Sequence, residues 1–479
     1  MSNEIIEQLI KIVGEDNVSI DPYELSIYSR DFNNFGSIPD YIVTCHSKEE
    51  VMKILQFANE NYIPITPKSS KIDYFGAAIP SYGGILLNLQ EMKKIKKIDT
   101  TLNRYATVEP GVTFEDLQKE LDKLGFQVMM PLGVSCKNSI LSTYLERTPL
   151  LSGPIPILSN GWQCIFDMDV LLPNGDNFHT GSGEATPKFK NLTPHGVTGP
   201  DFSRIFTGAQ GTMGIITEMT VKIKRKYPFE SIFTYNAEKD SLLDIVSKIK
   251  KLDIGKECLI ISKLNMASIL AEDFDQVDEL IDVLPDWTMV LRVAGYDEEE
   301  LQVNLADLED FKLSNSINTL EILTNINNIE EIFLNEFKLP NKLINFRYYQ
   351  GHCQTISFYT EKDRIRDFDK QVEYVANNYN YPIDNLYGFI MPIEQGRTFY
   401  YEYNFHSDHN NVDDYFRIQK LYQEVCEIVI NLGGIIDRPY GEYLINLIYS
   451  KIPEYYNNIL IIKNWFDPNN ILNPGKIFY

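Results

Sequence analysis

The first part of the chain alternates between two hydrophobic patterns. Apolar residues recur at helical spacing over residues 3–13, which predicts a helix at the start of the chain. Residues 40–45 and 62–66 are short apolar runs that predict strands. Between them, residues 47–58 show a second helical pattern, and Ser47 stands at its N-cap position. This alternation of strands and helices indicates an α/β arrangement.

The alternation continues along the chain. The further predicted elements are strands at residues 84–89, 106–108, 167–172 and 214–217 and a helix at residues 114–124. Together they predict an α+β domain that ends at about residue 226. After it the chain carries helical segments rich in Lys and Asp, with strand patterns at residues 288–293 and 398–405. We therefore predict a second domain over about residues 227–432, within the two or three domains that 479 residues allow.

Charge and composition exclude several classes of protein. The formal net charge is −23, so the Lys and Arg clusters that bind phosphate backbones are missing and we expect no nucleic-acid partner. No apolar run approaches the roughly 18 residues that span a bilayer, so we expect no membrane span. The acidic start lacks the features of a signal peptide, which favours a cytoplasmic protein.

Three segments of the chain carry distinctive sequences. Residues 467–476 read Asp-Pro-Asn-Asn-Ile-Leu-Asn-Pro-Gly-Lys, residues 201–217 contain Phe-Thr-Gly-Ala-Gln-Gly-Thr-Met-Gly-Ile-Ile-Thr, and residues 106–112 read Ala-Thr-Val-Glu-Pro-Gly-Val. In this order they resemble the signatures of the flavoproteins related to vanillyl alcohol oxidase and p-cresol methylhydroxylase (PCMH). The resemblance implies that the chain binds FAD.

The resemblance also implies a fold. The fold class is α+β, with a PCMH-type FAD-binding domain of two subdomains over residues 1–226 and an α+β cap domain with an antiparallel sheet over residues 227–432. A C-terminal segment, residues 433–479, would return to the FAD domain. By the same resemblance we expect a homodimer.

The first predicted cofactor loop follows the strand at residues 62–66. No G-x-G-x-x-G follows the first strand, so a Rossmann site is not indicated. By resemblance, residues 67–80 take the place of the phosphate loop, although Ser69, Ser70 and Lys71 replace the usual glycines. Hydroxyl groups and a lysine also bind phosphate, and a plain surface loop is the alternative. The residues assigned to the cofactor here are Lys68, Ser69, Ser70, Lys71, Ile72, Asp73, Tyr74 and Gly76.

Three further segments complete the predicted cofactor site by resemblance. They contribute Pro131, Gly133, Ser135, Asn138 and Ser139 from a loop in front of the flavin ring, Gly211, Gly214, Ile215 and Ile216 from the glycine-rich segment, and Asn473 and Lys476 from the tail. Glycines let the backbone approach a cofactor closely, and a cation such as Lys476 stabilises reduced flavin. Cys136 is a candidate for a covalent thioether to the flavin, and an inert thiol is the favoured alternative.

The returning segment carries the predicted substrate residues. Arg438 and Tyr440 would form an anion-binding pair that faces the flavin. Together with Tyr74 they are the predicted catalytic residues. An ordinary ion pair is the alternative role for Arg438.

Neither cysteines nor histidines predict a metal centre. The six cysteines are scattered without a C-x-x-C pair, which predicts reduced thiols and neither zinc nor an iron–sulfur cluster. His406, His409 and Glu402 resemble metal ligands only superficially, because the metal-binding loop of the family's 2-hydroxy-acid branch is missing. We predict no metal and expect both histidines to be solvent-facing loop residues.

These features predict an FAD-dependent oxidoreductase that takes a hydride from a small hydroxylated substrate. A para-substituted phenol or aromatic alcohol is the favoured substrate. The first alternative is a 2-hydroxy-acid dehydrogenase of the lactate or glycolate type that passes electrons to a partner protein. The second alternative, from another class, is a non-catalytic flavin-binding subunit that relays electrons. The sequence leaves open whether oxygen or a protein is the electron acceptor.

Overall fold

The structure is a computed structural model that describes residues 2–72, 74–151, 161–181, 201–317, 328–393 and 396–478. Asp73, one of the predicted cofactor residues, lies outside the described residues. Three β-sheets organise the part of the chain that is described. The first two precede residue 226 and the third follows it, so the change of sheet falls between Arg225 and Phe229.

The first sheet is partly parallel. Its strands are β1 (Val18–Ser19), β2 (Tyr41–Thr44), β3 (Ile65–Lys68) and β4 (Ile85–Asn88), in the order β1-β2-β4-β3, and the helices beside it are α1 (Ser2–Val13), α2 (Pro22–Ile27) and α3 (Lys48–Glu60). The hydroxyl of Ser47 accepts a hydrogen bond from the Glu50 amide and caps α3, as predicted. Strand β3 begins later than predicted because Tyr62 has a φ of 54°, a left-handed conformation that ends regular pairing.

The second sheet is antiparallel around one long strand. Its strands are β5 (Ile95–Asp99), β6 (Tyr105–Val108), β7 (Phe126–Val128), β8 (Ile165–Leu171), β9 (Asn177–His179) and β10 (Ile215–Arg225), with the helices α4 (Phe114–Asp122), α5 (Ile140–Leu145) and α6 (Ser203–Phe206). Strand β10 pairs with β6, β7 and β8. The predicted strand at 214–217 is therefore only the start of the central strand of this sheet.

The third sheet is antiparallel and has the order β11-β13-β12-β15-β16-β14. Its strands are β11 (Phe229–Asn236), β12 (Glu257–Ser262), β13 (Trp287–Gly295), β14 (Gly351–Thr360), β15 (Tyr387–Ile393) and β16 (Thr398–Asp408). The helices of this part are α7 (Lys239–Leu252), α8 (Lys263–Leu270), α9 (Asp275–Ile281), α10 (Glu298–Ser314), α11 (Ile329–Lys338), α12 (Ile365–Asn378) and α13 (Val412–Asn431). Apolar residues of α7, α10, α12 and α13 form one core cluster with this sheet, and residues of α8, α9 and α11 form another.

A buried ion cluster joins the second and third sheets. Lys224 on β10 lies 3.1 Å from the carboxylate of Glu257 on β12. Arg292 on β13 binds the other oxygen of Glu257 at 3.2 Å and also pairs with Glu230 at 2.8 Å. Because all these side chains are nearly inaccessible to water, the cluster fixes the two parts of the chain against each other.

The end of the chain returns to the first sheet after two helices, α14 (Glu442–Lys451) and α15 (Pro453–Phe466). Buried Asp467 accepts hydrogen bonds from the amides of Ile471 and Leu472, and buried Lys463 pairs with Asp467. The predicted α+β fold, with an antiparallel cap sheet, is confirmed. The domain boundaries at 226 and 432 stay predictions.

Candidate active site

A large cleft opens between the loops of the first two sheets. It encloses about 1160 Å³ of space outside the protein atoms. The predicted residues that line it are Ser69, Ser70, Ile72, Tyr74, Gly133, Asn138, Gly211, Gly214, Ile215, Ile216 and Tyr440. The structure therefore brings together members of four predicted segments that are far apart in sequence.

Ser70 connects two of these segments. Its Oγ accepts a hydrogen bond from the Ser139 amide at 3.1 Å and lies 2.7 Å from the hydroxyl of Ser142. The neighbouring lysines point elsewhere, because Lys71 is exposed and the Lys68 ammonium lies 6.0 Å from the ring centre of Tyr28. Of the predicted phosphate loop, Ser69, Ser70, Ile72 and Tyr74 line the cleft, and the two lysines do not.

The loop after β7 places beside the cleft a side-chain carbonyl oxygen that has no hydrogen-bond partner. Asn138 is buried and lines the cleft, and its Oδ1 has no hydrogen-bond partner. Gly133 has a φ of 63°, and a side chain added there would meet no atom within 4 Å, so it faces open space. Pro131, Ser135 and Ser139 are buried behind the lining of the cleft.

Cys136 contributes no cleft surface. Its side chain is buried, and burial raises the pKa of its thiol. The six cysteines are all buried free thiols.

The glycine-rich segment packs tightly against the first and second sheets. A side chain at Gly211, whose φ is 72°, would come within 2.6 Å of Pro67 on β3. At Gly214 an added Cβ would lie 2.6 Å from Val170 on β8. These positions need glycine because the segment runs directly against the two strands there.

The tail holds the cleft from behind. The side-chain amide of Asn473 donates to the carbonyls of Ala77 at 2.8 Å and Gln210 at 2.7 Å, and its backbone amide donates to Ile65 at 2.7 Å. Asn473 thus ties together three segments without lining the cleft. Burial lowers the pKa of Lys476 to about 8, while nearby Asp31 opposes the shift.

A short loop before β2 positions the residues after the phosphate loop. The carboxylate of Asp31 accepts a hydrogen bond from the Gly76 amide at 2.6 Å. The side chain of Asn34 donates to the Tyr74 carbonyl at 2.9 Å. These contacts fix Tyr74 and Phe75, which both line the cleft.

A smaller cavity, here called the inner pocket, adjoins the cleft. It encloses about 360 Å³ and shares Phe75, Gly133, Val134 and Thr148 with the cleft. Its other walls are Leu132, two residues of the 3₁₀ turn before β14 (Phe346 and Arg347), five residues of the third sheet (Thr355, Ser357, Phe389, Tyr400 and Glu402) and Arg438 of the returning segment. The inner pocket is therefore the space between the cleft and the cap.

Strand alternation decides which residues reach the inner pocket. Tyr400 and Glu402 on β16 face it, whereas Tyr401 and Tyr403 point to the opposite face, where both hydroxyls donate to Asp369. Glu402 accepts a hydrogen bond from the Tyr400 hydroxyl at 2.6 Å. Burial raises the pKa of Glu402, and arginines 347 and 438 partly offset this shift.

Two buried arginines face this pocket. Arg347 is 5% exposed and the side chain of Arg438 is 8% exposed. Each donates one hydrogen bond to a hydroxyl, Arg347 to Thr355 at 3.0 Å and Arg438 to Ser357 at 3.2 Å. The Nε atom of each is buried without a hydrogen-bond partner, although that of Arg438 lies 3.8 Å from the carboxylate of Asp437, with which it forms an ion pair. This concentration of positive charge is suited to an anionic ligand.

The predicted catalytic residues lie in different places. Arg438 lines the inner pocket, whereas Tyr440 lines the cleft, stacks on Phe75 at 4.7 Å between ring centres and donates a hydrogen bond to Glu146. The hydroxyl of Tyr74 lies 2.8 Å from that of Tyr348. Arg438 and Tyr440 thus do not face one common space.

Several residues of the inner pocket carry no site signal in the sequence. Arg347 and Phe75 belong to no recognisable pattern, and Glu402 stands out only through its superficial resemblance to a metal ligand. The alternation of the predicted strand 398–405 was the available signal, because its even-numbered side chains share one face. These residues could have been proposed as site residues if that face had been assigned to the pocket.

The expectation for His406 is wrong. This residue lies on β16 with 1% of its surface exposed, and burial lowers its pKa to about 3. His409 lies just beyond β16, and 62% of its side-chain surface is exposed, as expected. Within the described ranges, no group of three or more metal-ligating side chains is arranged to hold a metal ion. No helix of the described residues is both long and apolar enough to cross a membrane.

Comparison with known proteins identifies FAD as the cofactor of the protein. The model of the FAD binding domain family matches residues 39–148, which include the two loops joined through Ser70. A crystal structure of p-cresol methylhydroxylase with bound substrate matches 99% of this chain and 96% of its own, with a TM-score of 0.85 and 21% identity. This chain is an FAD-dependent oxidoreductase with the fold of p-cresol methylhydroxylase.

Curated relatives of this oxidoreductase differ in substrate. The glycolate oxidase subunit GlcD of Bacillus subtilis is 26% identical over 100% of this chain and 97% of its own length. The 4-cresol dehydrogenase (hydroxylating) flavoprotein subunit of Pseudomonas putida is 30% identical over 52% of this chain and 48% of its own length. The substrate therefore has to be argued from the site.

Proposed function

We propose that the protein oxidises a small para-substituted phenol or aromatic alcohol. The inner pocket supports this proposal, because it combines aromatic walls with two buried arginines whose Nε atoms make no hydrogen bond. Aromatic side chains favour a planar ring, and a pair of guanidinium groups favours the phenolate form of its hydroxyl. When bound, FAD supplies the acceptor for the hydride.

The residues of this chain have separate roles in the proposal. The cleft fits the cofactor, because small residues and the unpaired amide of Asn138 line it and the segments matched by the FAD model surround it. Arg347 and Arg438 would hold the substrate oxygen. Glu402, whose pKa burial raises, would accept the hydroxyl proton with the hydrogen bond from Tyr400 orienting its carboxylate.

Oxidation of a 2-hydroxy acid is the second candidate. The full-length match to a glycolate oxidase subunit favours it, and the same arginines would grip a carboxylate. For either substrate class, the final electron acceptor is oxygen or a protein. We further propose that Tyr74 and Tyr440 contact the flavin and not the substrate oxygen, since they line the cleft.

Anaerobic mixing of the FAD-loaded protein with each class tests the proposal. We expect 4-methylphenol or 4-hydroxybenzyl alcohol to bleach the flavin absorbance, and D-lactate and glycolate to leave it unchanged at the same concentrations. Bleaching by the hydroxy acids alone would replace the first candidate with the second.

A further inference from the structure

A third space, here called the outer cavity, adjoins both the cleft and the inner pocket. It encloses about 680 Å³. It shares Tyr74, Phe75 and Tyr440 with the cleft, and Phe75 and Thr355 with the inner pocket. Phe75 is therefore the residue at which all three spaces meet.

Carboxamide side chains dominate the polar lining of the outer cavity. They are Asn33, Asn34, Gln354, Gln419 and Gln423. Gln419 and Gln423 are four residues apart on α13 and share one face, and Gln354 lies opposite on the edge strand β14. The charged residue on this lining is Glu442, which is exposed at the start of α14.

Two kinds of amide are present in this lining. Asn33 and Asn34 are committed to the protein, because both donate to the Tyr74 carbonyl and Asn33 also accepts from the Cys353 amide. In contrast, Oε1 of Gln354 is buried without a hydrogen-bond partner. A carboxamide both donates and accepts, so it complements a neutral polar group better than an ion.

We infer that the outer cavity is a specificity subsite for an uncharged, hydrogen-bonding substituent on the substrate, such as a terminal carboxamide. This inference rests on the proposed function, in which the inner pocket holds the substrate oxygen. Gln354 and Gln423 receive the substituent from opposite walls. The carboxylate of Glu442 disfavours a substituent that ends in a carboxylate.

Matched ligand pairs test the subsite in the FAD-loaded protein. For phenols the pair is 3-(4-hydroxyphenyl)propanamide and its shape-matched alkyl analogue 4-(3-methylbutyl)phenol, with affinity measured by perturbation of the flavin spectrum. Gln354→Leu and Gln423→Leu should each shift the amide-to-alkyl affinity ratio about 5-fold towards the alkyl ligand, the effect of losing one hydrogen bond. Kinetics with 4-methylphenol should change less than about 2-fold, because this ligand does not reach the subsite.

Gln302→Leu, on the exposed side of α10, is the control and should leave the ratio unchanged. An unchanged ratio in both test variants would overturn the subsite. If hydroxy acids alone reduce the flavin, the proposed phenol function fails, and the same variants are tested with the amide and alkyl forms of a 2-hydroxy acid of equal length. A shift in the amide-to-alkyl ratio of the hydroxy-acid pair would retain the subsite. If neither the phenol pair nor the hydroxy-acid pair binds, the proposed function and the subsite are both overturned.

Discussion

The cleft and the inner pocket lie side by side but are built in different ways. The cleft is shaped by backbone, with glycines where loops approach and Asn473 joining three segments from behind. The inner pocket is shaped by side chains that project from a β-sheet, such as Tyr400 and Glu402. Backbone shape needs particular residues at fixed spacing, and so it leaves motifs in the sequence. A wall of strand side chains can vary residue by residue while the sheet stays the same.

The comparison with relatives is consistent with this difference between the cleft and the inner pocket. A model of the FAD binding domain matches residues 39–148, which supply two of the loops of the cleft, whereas the full-length and partial relatives act on different substrates according to their names. We therefore expect relatives to share the FAD domain and a change of substrate to appear in the inner pocket.

The largest expected effect comes from the buried ion cluster that joins the second and third sheets. Glu257→Gln removes the carboxylate between Lys224 and Arg292 and leaves two buried cations without it. Breaking a buried pair costs about 3–5 kcal/mol, and we expect that loss in the free energy of unfolding by chemical denaturation. Glu299→Gln, on the exposed start of α10, is the control.

The same substitution has a pH signature. Burial opposes ionisation of Glu257, but Lys224 and Arg292 outweigh it and hold the pKa of this carboxyl below its usual value. The stabilisation is therefore complete above the unfolded-state pKa of about 4.3 and is lost as the pH falls through the lower pKa of the folded state. Glu257→Gln should flatten the acid limb of the stability curve. An unchanged acid limb would show that the junction does not depend on this charge.

The inner pocket is tested on its own by Arg438→Met. Loss of the guanidinium should reduce kcat/KM by roughly thirty- to a thousand-fold, or about 2–4 kcal/mol, because the substrate anion loses its partner. Flavin content should stay the same, since Arg438 lines the inner pocket and not the cleft. Arg366→Met, on the exposed side of α12, is the control.

Two outcomes would contradict this assignment. Activity within a few-fold of the wild type would make Arg438 a structural residue. Loss of flavin would show that the cleft and the inner pocket are not separable at this position.

The cleft is tested by Asn473→Asp. Aspartate keeps the shape and tolerates the observed φ of 39°, but it turns a carboxylate towards the carbonyls of Ala77 and Gln210. We expect a loss of about 2 kcal/mol in stability together with weaker FAD binding, measured by flavin release during thermal unfolding. Asn410→Asp on the exposed turn after β16 is the control. A variant that carries a full complement of FAD and has wild-type stability would show that the tail does not support the cleft.

The contrast between the cleft and the inner pocket also explains which residues can be predicted from the sequence. Ser47 at a helix start and Gly211 beside strand β3 are local requirements of the backbone, and both positions stand out in the sequence. For Asn473 the sequence predicts a contact with the flavin; in the structure its side chain donates to Ala77 and Gln210 and does not line the cleft.

Arg347 was not predicted, because it lies in a short 3₁₀ turn before β14 that no sequence pattern marks. Glu402 was not predicted, because its role depends on which face of the third sheet turns towards the cleft. His406 was misplaced for the same reason, since its burial is set by strands that are distant in sequence.

The smallest expected effect separates Tyr440 from Arg438. Tyr440→Phe keeps the ring that stacks on Phe75 and removes the hydroxyl that donates to Glu146. Because the hydroxyl faces the cleft side, we expect kcat/KM to fall only about 5-fold, the net effect of one hydrogen bond. The sequence predicted Arg438 and Tyr440 as one anion-binding pair, and a loss above about 100-fold would restore that pairing. Steady-state kinetics of Tyr440→Phe, Arg438→Met and the double variant measure the coupling directly. Additive effects would assign the two residues to different spaces, and strong non-additivity would place both on the same substrate atom.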